Sequence, residues 1–112
     1  MINNVAEREV IESIKRYMQA VENAGIPVSF VILFGSQALG NTHPWSDIDL
    51  IVVSPHFDDQ KQREDINLLW RIAARVDSRI EPVACGLQQW KDDTSSAIIE
   101  IARREGQQIQ AA

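Results

Sequence analysis

The chain has 112 residues, of which 45% are hydrophobic and 24% are charged, so we expect one globular domain over residues 1–112. No apolar run reaches the roughly 20 residues that cross a bilayer, the first residues carry no signal-peptide pattern, and the single cysteine, Cys85, excludes an internal disulfide. These features predict a cytoplasmic protein with no membrane association. Sixteen acidic against eleven basic side chains give a net charge of −5, which argues against direct nucleic-acid binding because such binding needs cations against phosphates.

The first half of the chain predicts one helix and two buried strands. An amphipathic helix should end near Gly25, since apolar side chains recur at helical spacing before it: Ile11, Ile14, Met18 and Val21. Residues 28–34 contain no charged side chain. Residues 47–53 are apolar apart from the two aspartates near their start, and both runs are typical of buried strands.

The second half predicts helix, strand and helix. A helix over residues 59–76 presents an apolar stripe, and a strand over residues 79–85 contains Pro82, which favours an edge position or a bulge. A last helix over residues 94–104 would be capped by Thr94 or Ser95, with an inward face of Ile98, Ile101 and Ala102. The predicted class is α/β (α+β), with helices packed on a small mixed β-sheet.

Two carboxylates stand at the start of the second predicted strand. Because side chains alternate faces along a strand, Asp47 and Asp49 should point the same way, with Cα atoms about 7 Å apart. Their mutual repulsion beside an apolar strand predicts a divalent cation between them, and Mg²⁺ favours carboxylate oxygens. Two solvated carboxylates paired with arginine are the alternative.

A Gly-Ser pair follows the first predicted strand. Gly35 allows close approach of the backbone to a ligand, and Ser36 adds a hydroxyl donor near free N–H groups, a combination that favours phosphate binding. An ordinary turn is the alternative, since neither a P-loop nor a dinucleotide-binding glycine pattern is present. A phosphate site ten residues before an Asp-x-Asp metal site is more specific than either part alone.

These motifs resemble a known superfamily. Phe34-Gly35-Ser36 followed by Asp47-x-Asp49 is similar to the signature of the DNA polymerase β-like nucleotidyltransferases, and GSQALG…SDIDLIVV most resembles its minimal nucleotidyltransferase (MNT) family. The resemblance implies that fold, with a nucleoside triphosphate, such as ATP, held by Gly35, Ser36, Asp47 and Asp49. It also implies that a third carboxylate completes the catalytic and metal site, for two Mg²⁺ or Mn²⁺ ions. Glu81 matches that third carboxylate by position, and a surface charge at a strand end is the alternative for it.

The resemblance further implies a metal-dependent transfer of a nucleoside monophosphate, such as AMP, to a hydroxyl, as the antitoxin of a HEPN-type toxin. One departure weakens this prediction: Gln37 and Leu39 stand where the family's loop often carries basic residues, which leaves Arg79 and Lys91 as candidate replacement cations. An inactive module that neutralises a partner protein by binding is the alternative function, and a transferase acting on a small molecule is a third. A homo-oligomer is left open.

Overall fold

A computed structural model describes residues 5–35, 46–59 and 61–110, with side chains from residue 8 onward. The element order in these ranges is α1 (Val5–Asn23), β1 (Phe30–Phe34), β2 (Ile48–Ser54), α2 (His56–Asp59), α3 (Arg63–Val76), β3 (Ile80–Gly86), α4 (Leu87–Asp92), α5 (Ala97–Glu105) and β4 (Gln107–Ile109). Helix α1 ends where predicted, and the φ of +103° at Gly25 turns the chain there.

The four strands form one mixed sheet in the order β3-β2-β1-β4. β1 pairs antiparallel with β2 and with β4, whereas β2 and β3 are parallel and are joined through α2 and α3. Strand β3 is an edge of this sheet, as Pro82 predicted. The N–H of Ile48 donates to the carbonyl of Arg79, and a parallel strand bonds through alternate residues, so the nitrogen of Pro82 faces the outer edge.

The two faces of the sheet have separate cores. Helices α1 and α3 pack on one face, where alternate strand residues such as Leu50 and Val52 are fully buried. Helices α4 and α5 cover part of the other face, which carries Ile51 and Val53. This α/β arrangement confirms the predicted fold class, and the strand alternation decides which side chains can meet on each face.

The helix predicted over residues 59–76 is wrong in its first turn. The structure has a short α2 up to Asp59 and a new helix, α3, from Arg63. Phe57 of α2 is buried in the core of α1 and α3, so the chain must turn again before α3 can present Leu69, Ile72 and Ala73 to the same core.

The predicted inward face of the last helix is also partly wrong. Ile99 and Ala102 are buried, whereas Ile98 and Ile101 are 46% and 40% exposed. Ser96, rather than Thr94 or Ser95, caps the helix, because its hydroxyl accepts a hydrogen bond from the Ile99 N–H.

Three elements were not predicted: the short helices α2 and α4 and the edge strand β4. Across the described ranges, no helix is long and apolar enough to span a membrane.

Candidate functional site

The sheet places the predicted carboxylates side by side at one end. Asp49 lies directly opposite Glu81 in the parallel register of β2 and β3. Asp47 immediately precedes β2 and is close enough for its charge to raise the pKa of the Glu81 carboxyl. Asp49 and Glu81 share the sheet face of Ile51 and Val83. Three acidic groups therefore meet where β2 and β3 begin.

The electrostatics of this cluster come from burial and from the carboxylates themselves. Partial burial raises the pKa of Asp49, and the negative charge of Asp47 raises it further. Burial also raises the pKa of Glu81, followed by the charge and hydrogen bond of Asp47 and the charge of Asp49. The charge of Asp47 thus disfavours the ionised forms of Asp49 and Glu81, and the charge of Asp49 disfavours that of Glu81, which is the repulsion that a bound cation relieves.

Gly35 turns the chain beside this cluster. Its φ is +76°, a region that side-chain-bearing residues rarely adopt, and a Cβ there would collide with a carboxylate oxygen of Asp49. Since Phe34 pairs with Asp49 in the antiparallel register of β1 and β2, the turn starts directly next to the acidic group. From the sequence, Gly35 was expected to let the backbone approach a ligand closely. The structure adds a second reason for glycine at this position, because a side chain there would collide with Asp49.

The donor chemistry of the cluster suits a divalent cation. Three carboxylates supply hard oxygen donors, and their mutual repulsion needs positive charge. As arranged, however, no group of three acidic, histidine or cysteine side chains within residues 8–35, 46–59 and 61–110 forms a ready set of ligands. Asp47, Asp49 and Glu81 thus have the donor chemistry for a divalent cation and lie at the same end of the sheet, but they do not form a ready set of ligands.

The remaining predicted site residues divide into two groups. Ser36, Gln37 and Leu39 lie outside the described residues. The two candidate cations are described, and neither is among the groups that shift the pKa of Asp49 or Glu81. Lys91 lies in α4, which begins after the end of β3, whereas Glu81 lies near the start of that strand.

Arg79, the other candidate, is held by a residue that sequence analysis missed. The Asp77 carboxylate accepts hydrogen bonds from the Arg79 backbone N–H, Nε and Nη2 at 3.0, 3.0 and 2.8 Å. These bonds lower the pKa of Asp77 to about 2. An Asp two residues before an Arg at the start of a strand is the sequence signal that could have indicated this turn.

Comparison with known families identifies the chain's class. Residues 9–104 match the model of the nucleotidyltransferase domain, and the chain therefore belongs to the nucleotidyltransferase domain family. This confirms the family predicted from the Gly-Ser and Asp-x-Asp motifs. None of the curated proteins matches this sequence with significance.

Solved structures show the same fold. A proposed nucleotidyltransferase from Sulfolobus solfataricus superposes with a TM-score of 0.62 and 15% identity, covering 96% of this chain and 89% of the other. A chain of a toxin–antitoxin complex with AMP-PNP superposes with a TM-score of 0.59 and 22% identity, covering 88% of this chain and 73% of the other. A third structure is a complex of tri-AMPylated Shewanella oneidensis HEPN toxin with MNT antitoxin. One of its chains superposes with a TM-score of 0.57 and 19% identity, covering 95% of this chain and 73% of the other. At these identities the likeness is one of fold, and it confirms the predicted architecture.

Proposed function

We propose that this chain is a metal-dependent nucleotidyltransferase that transfers AMP from ATP to a hydroxyl of a partner protein, as the antitoxin of a HEPN/MNT-type pair. The observation that carries the proposal is the pairing of Asp49 with Glu81 across β2 and β3, beside Asp47 at the start of β2. The family match and the fold shared with toxin–antitoxin complexes support the reaction class and the partner class.

Each site residue has a defined role in this proposal. Asp47, Asp49 and Glu81 would hold divalent cations, which neutralise phosphate charge and lower the pKa of an attacking hydroxyl. Gly35 and Ser36 would hold the triphosphate. The acceptor oxygen bonds to the α-phosphorus while the bond from that phosphorus to the bridging oxygen breaks, and pyrophosphate leaves. As an alternative to holding a cation, Glu81, whose pKa is raised, would accept the proton of the attacking hydroxyl as a general base.

Calorimetric titration of ATP with and without Mg²⁺ tests the proposal. Wild-type chain should bind ATP only with Mg²⁺, and Asp47→Asn or Asp49→Asn should weaken binding at least tenfold, since each removes a charged ligand. Asp59→Asn is the matched control because it removes one exposed carboxylate from α2. ATP binding that is absent, or that survives both substitutions, would contradict the transferase.

A second function has its own supporting observation. In the described part of the chain no cation lowers the pKa of Asp49 or Glu81, and Arg79 is bound to Asp77. A site without a basic clamp favours a module that neutralises a HEPN-type partner by covering it. Co-expression separates the two functions, because an adenylylating antitoxin loses neutralisation on Asp49→Asn and a covering module keeps it.

A further inference from the structure

The turn between α3 and β3 is built around one carboxylate. Asp77 follows α3, and its backbone N–H donates a hydrogen bond to the Ala73 carbonyl, so the helix fixes its position. Its side chain then accepts three hydrogen bonds from Arg79, of which two come from the guanidinium as a bidentate pair. The Asp77 side chain is only 13% exposed, so this pair is better shielded from solvent than an ordinary surface ion pair.

This turn is connected directly to the acidic site. The carbonyl of Arg79 accepts the N–H of Ile48 at 2.8 Å, and Ile48 is the residue between Asp47 and Asp49. It is the first bond of the parallel ladder, and by alternation the next residue of β3 that bonds to β2 is Glu81. The position of Arg79 therefore fixes the start of the β2–β3 pairing, which is the end of the sheet that carries the three carboxylates.

A third element fixes the same turn from α1. Ser13, which is 5% exposed, hydrogen-bonds to the Asp77 carboxylate and accepts a bond from Arg16 at 3.2 Å. Asp77 is thus held from α1, from the end of α3 and from the start of β3. A carboxylate tied to three elements is more rigid than one that bonds only within its own turn.

We propose that Asp77 is a positioning residue for the acidic site: acting through Arg79, it fixes the paired starts of β2 and β3 so that Asp49 stays opposite Glu81 and within reach of Asp47. This proposal rests on the proposed function only in its consequence for metal and nucleotide binding. Its structural part, the bracing of the two strand starts, stands on the hydrogen bonds alone. In this proposal Arg79 is the brace that joins the Asp77 carboxylate to the backbone of Ile48.

The test measures the strands and the carboxylates separately. Amide hydrogen exchange by NMR reports the Ile48 N–H, and Mn²⁺ titration followed by EPR reports the carboxylates without any reaction. Asp77→Asn should speed Ile48 exchange about tenfold while leaving Val52, further along β2, unchanged. Mn²⁺ affinity should fall about tenfold, as it does when residues that orient metal ligands are lost.

Two further variants distinguish bracing from other effects. Arg79→Gln should reproduce both changes, and Arg79→Lys should recover part of each because it keeps one charged donor. Asp65→Asn is the matched control, since it removes a carboxylate that pairs with His56 at 3.0 Å, away from the strand starts. Circular dichroism confirms that each variant is folded at the temperature used.

Three results would decide against the proposal or against its premise. If Asp77→Asn behaves like Asp65→Asn in both measurements, Asp77 does not position the site. If adding Arg79→Gln to Asp77→Asn restores Mn²⁺ binding, Asp77 acts by keeping a competing cation away, and the bracing mechanism is wrong. A wild-type chain that binds no Mn²⁺ would refute the proposed function instead, and Ile48 exchange would still decide whether Asp77 braces the strands.

Discussion

Replacing Gly35 by alanine tests the geometry of the site against a control within the same chain. Gly35 and Gly25 both have positive φ, at +76° and +103°, so an alanine at either position carries a backbone penalty of about 1–2 kcal/mol. Only at Gly35 does the added Cβ collide with Asp49, whereas at Gly25 nothing lies within 4 Å. The difference between the two variants therefore isolates the collision.

The magnitude follows from what Asp49 must do. To clear the new methyl group, its side chain must leave its preferred rotamer, at about 0.5–1.5 kcal/mol. We therefore expect Gly25→Ala to lower the free energy of unfolding by about 1–2 kcal/mol and Gly35→Ala to lower it by about 1.5–3.5 kcal/mol. For a chain of this length, each kcal/mol lowers the melting temperature by about 4 °C.

Urea unfolding followed by tryptophan fluorescence measures both free energies, and Mn²⁺ titration measures the effect on the site. Gly25→Ala should bind Mn²⁺ like wild type, whereas Gly35→Ala should bind it more weakly because Asp49 has moved. Equal destabilisation together with equal Mn²⁺ affinity in the two variants would refute the reasoning that Gly35 is required by Asp49.

Three other predictions concern single side chains. The pKa of Asp77 is lowered to about 2, so its charge stabilises the fold at pH values above its ordinary pKa near 4. Urea unfolding should therefore show that this carboxylate's contribution of about 2 kcal/mol to the free energy of unfolding is lost as the pH falls from about 4 to about 2. The Asp77→Asn variant should lack this loss. The buried Tyr17 hydroxyl donates to the Leu69 carbonyl at 3.0 Å, so Tyr17→Phe should lower thermal stability by about 1 kcal/mol, and an unchanged melting temperature would contradict the value assigned to that bond. Burial raises the pKa of the Cys85 thiol to about 11, so a thiol reagent at pH 8 should label it only on unfolding, and rapid labelling of the native chain would place Cys85 at the surface.

The strands at the site could be predicted because their signals are local. A charge-free run before Gly35 indicated a buried strand, and strict alternation put Asp47 and Asp49 on one side of the next strand. Pro82 predicted an edge strand because it lacks an N–H, and the structure confirms that position. The register that places Glu81 opposite Asp49 was not predicted, because pairing between distant strands leaves no mark in either segment, and Glu81 was selected only through the family resemblance.

The elements that were missed depend on distant partners. The first turn of α4 is bonded by Asp58, whose carboxylate accepts the Gln88 N–H at 3.0 Å from thirty residues away. Strand β4 has the sequence Gln-Gln-Ile, which has no strand pattern of its own, and it forms because β1 offers an open side.

The phase error in α5 has a local cause. Because isoleucines occupy both positions 98 and 99, either of two neighbouring faces of the helix could be the buried one, and the sequence does not distinguish them. The structure selects the face of Ile99, which packs in the smaller core with Ile32. Tertiary packing therefore overrides a periodicity that is ambiguous by one residue.

The two borders of the sheet also bear on how the protein behaves in concentrated solution. An exposed border with free peptide groups can add a strand from another molecule and so nucleate fibres. Here one border carries Pro82, whose nitrogen faces outward with no hydrogen to donate, and the other is β4, which is only three residues long. Both borders are poor templates for foreign strands, so this apolar sheet is protected against aggregation by its own margins.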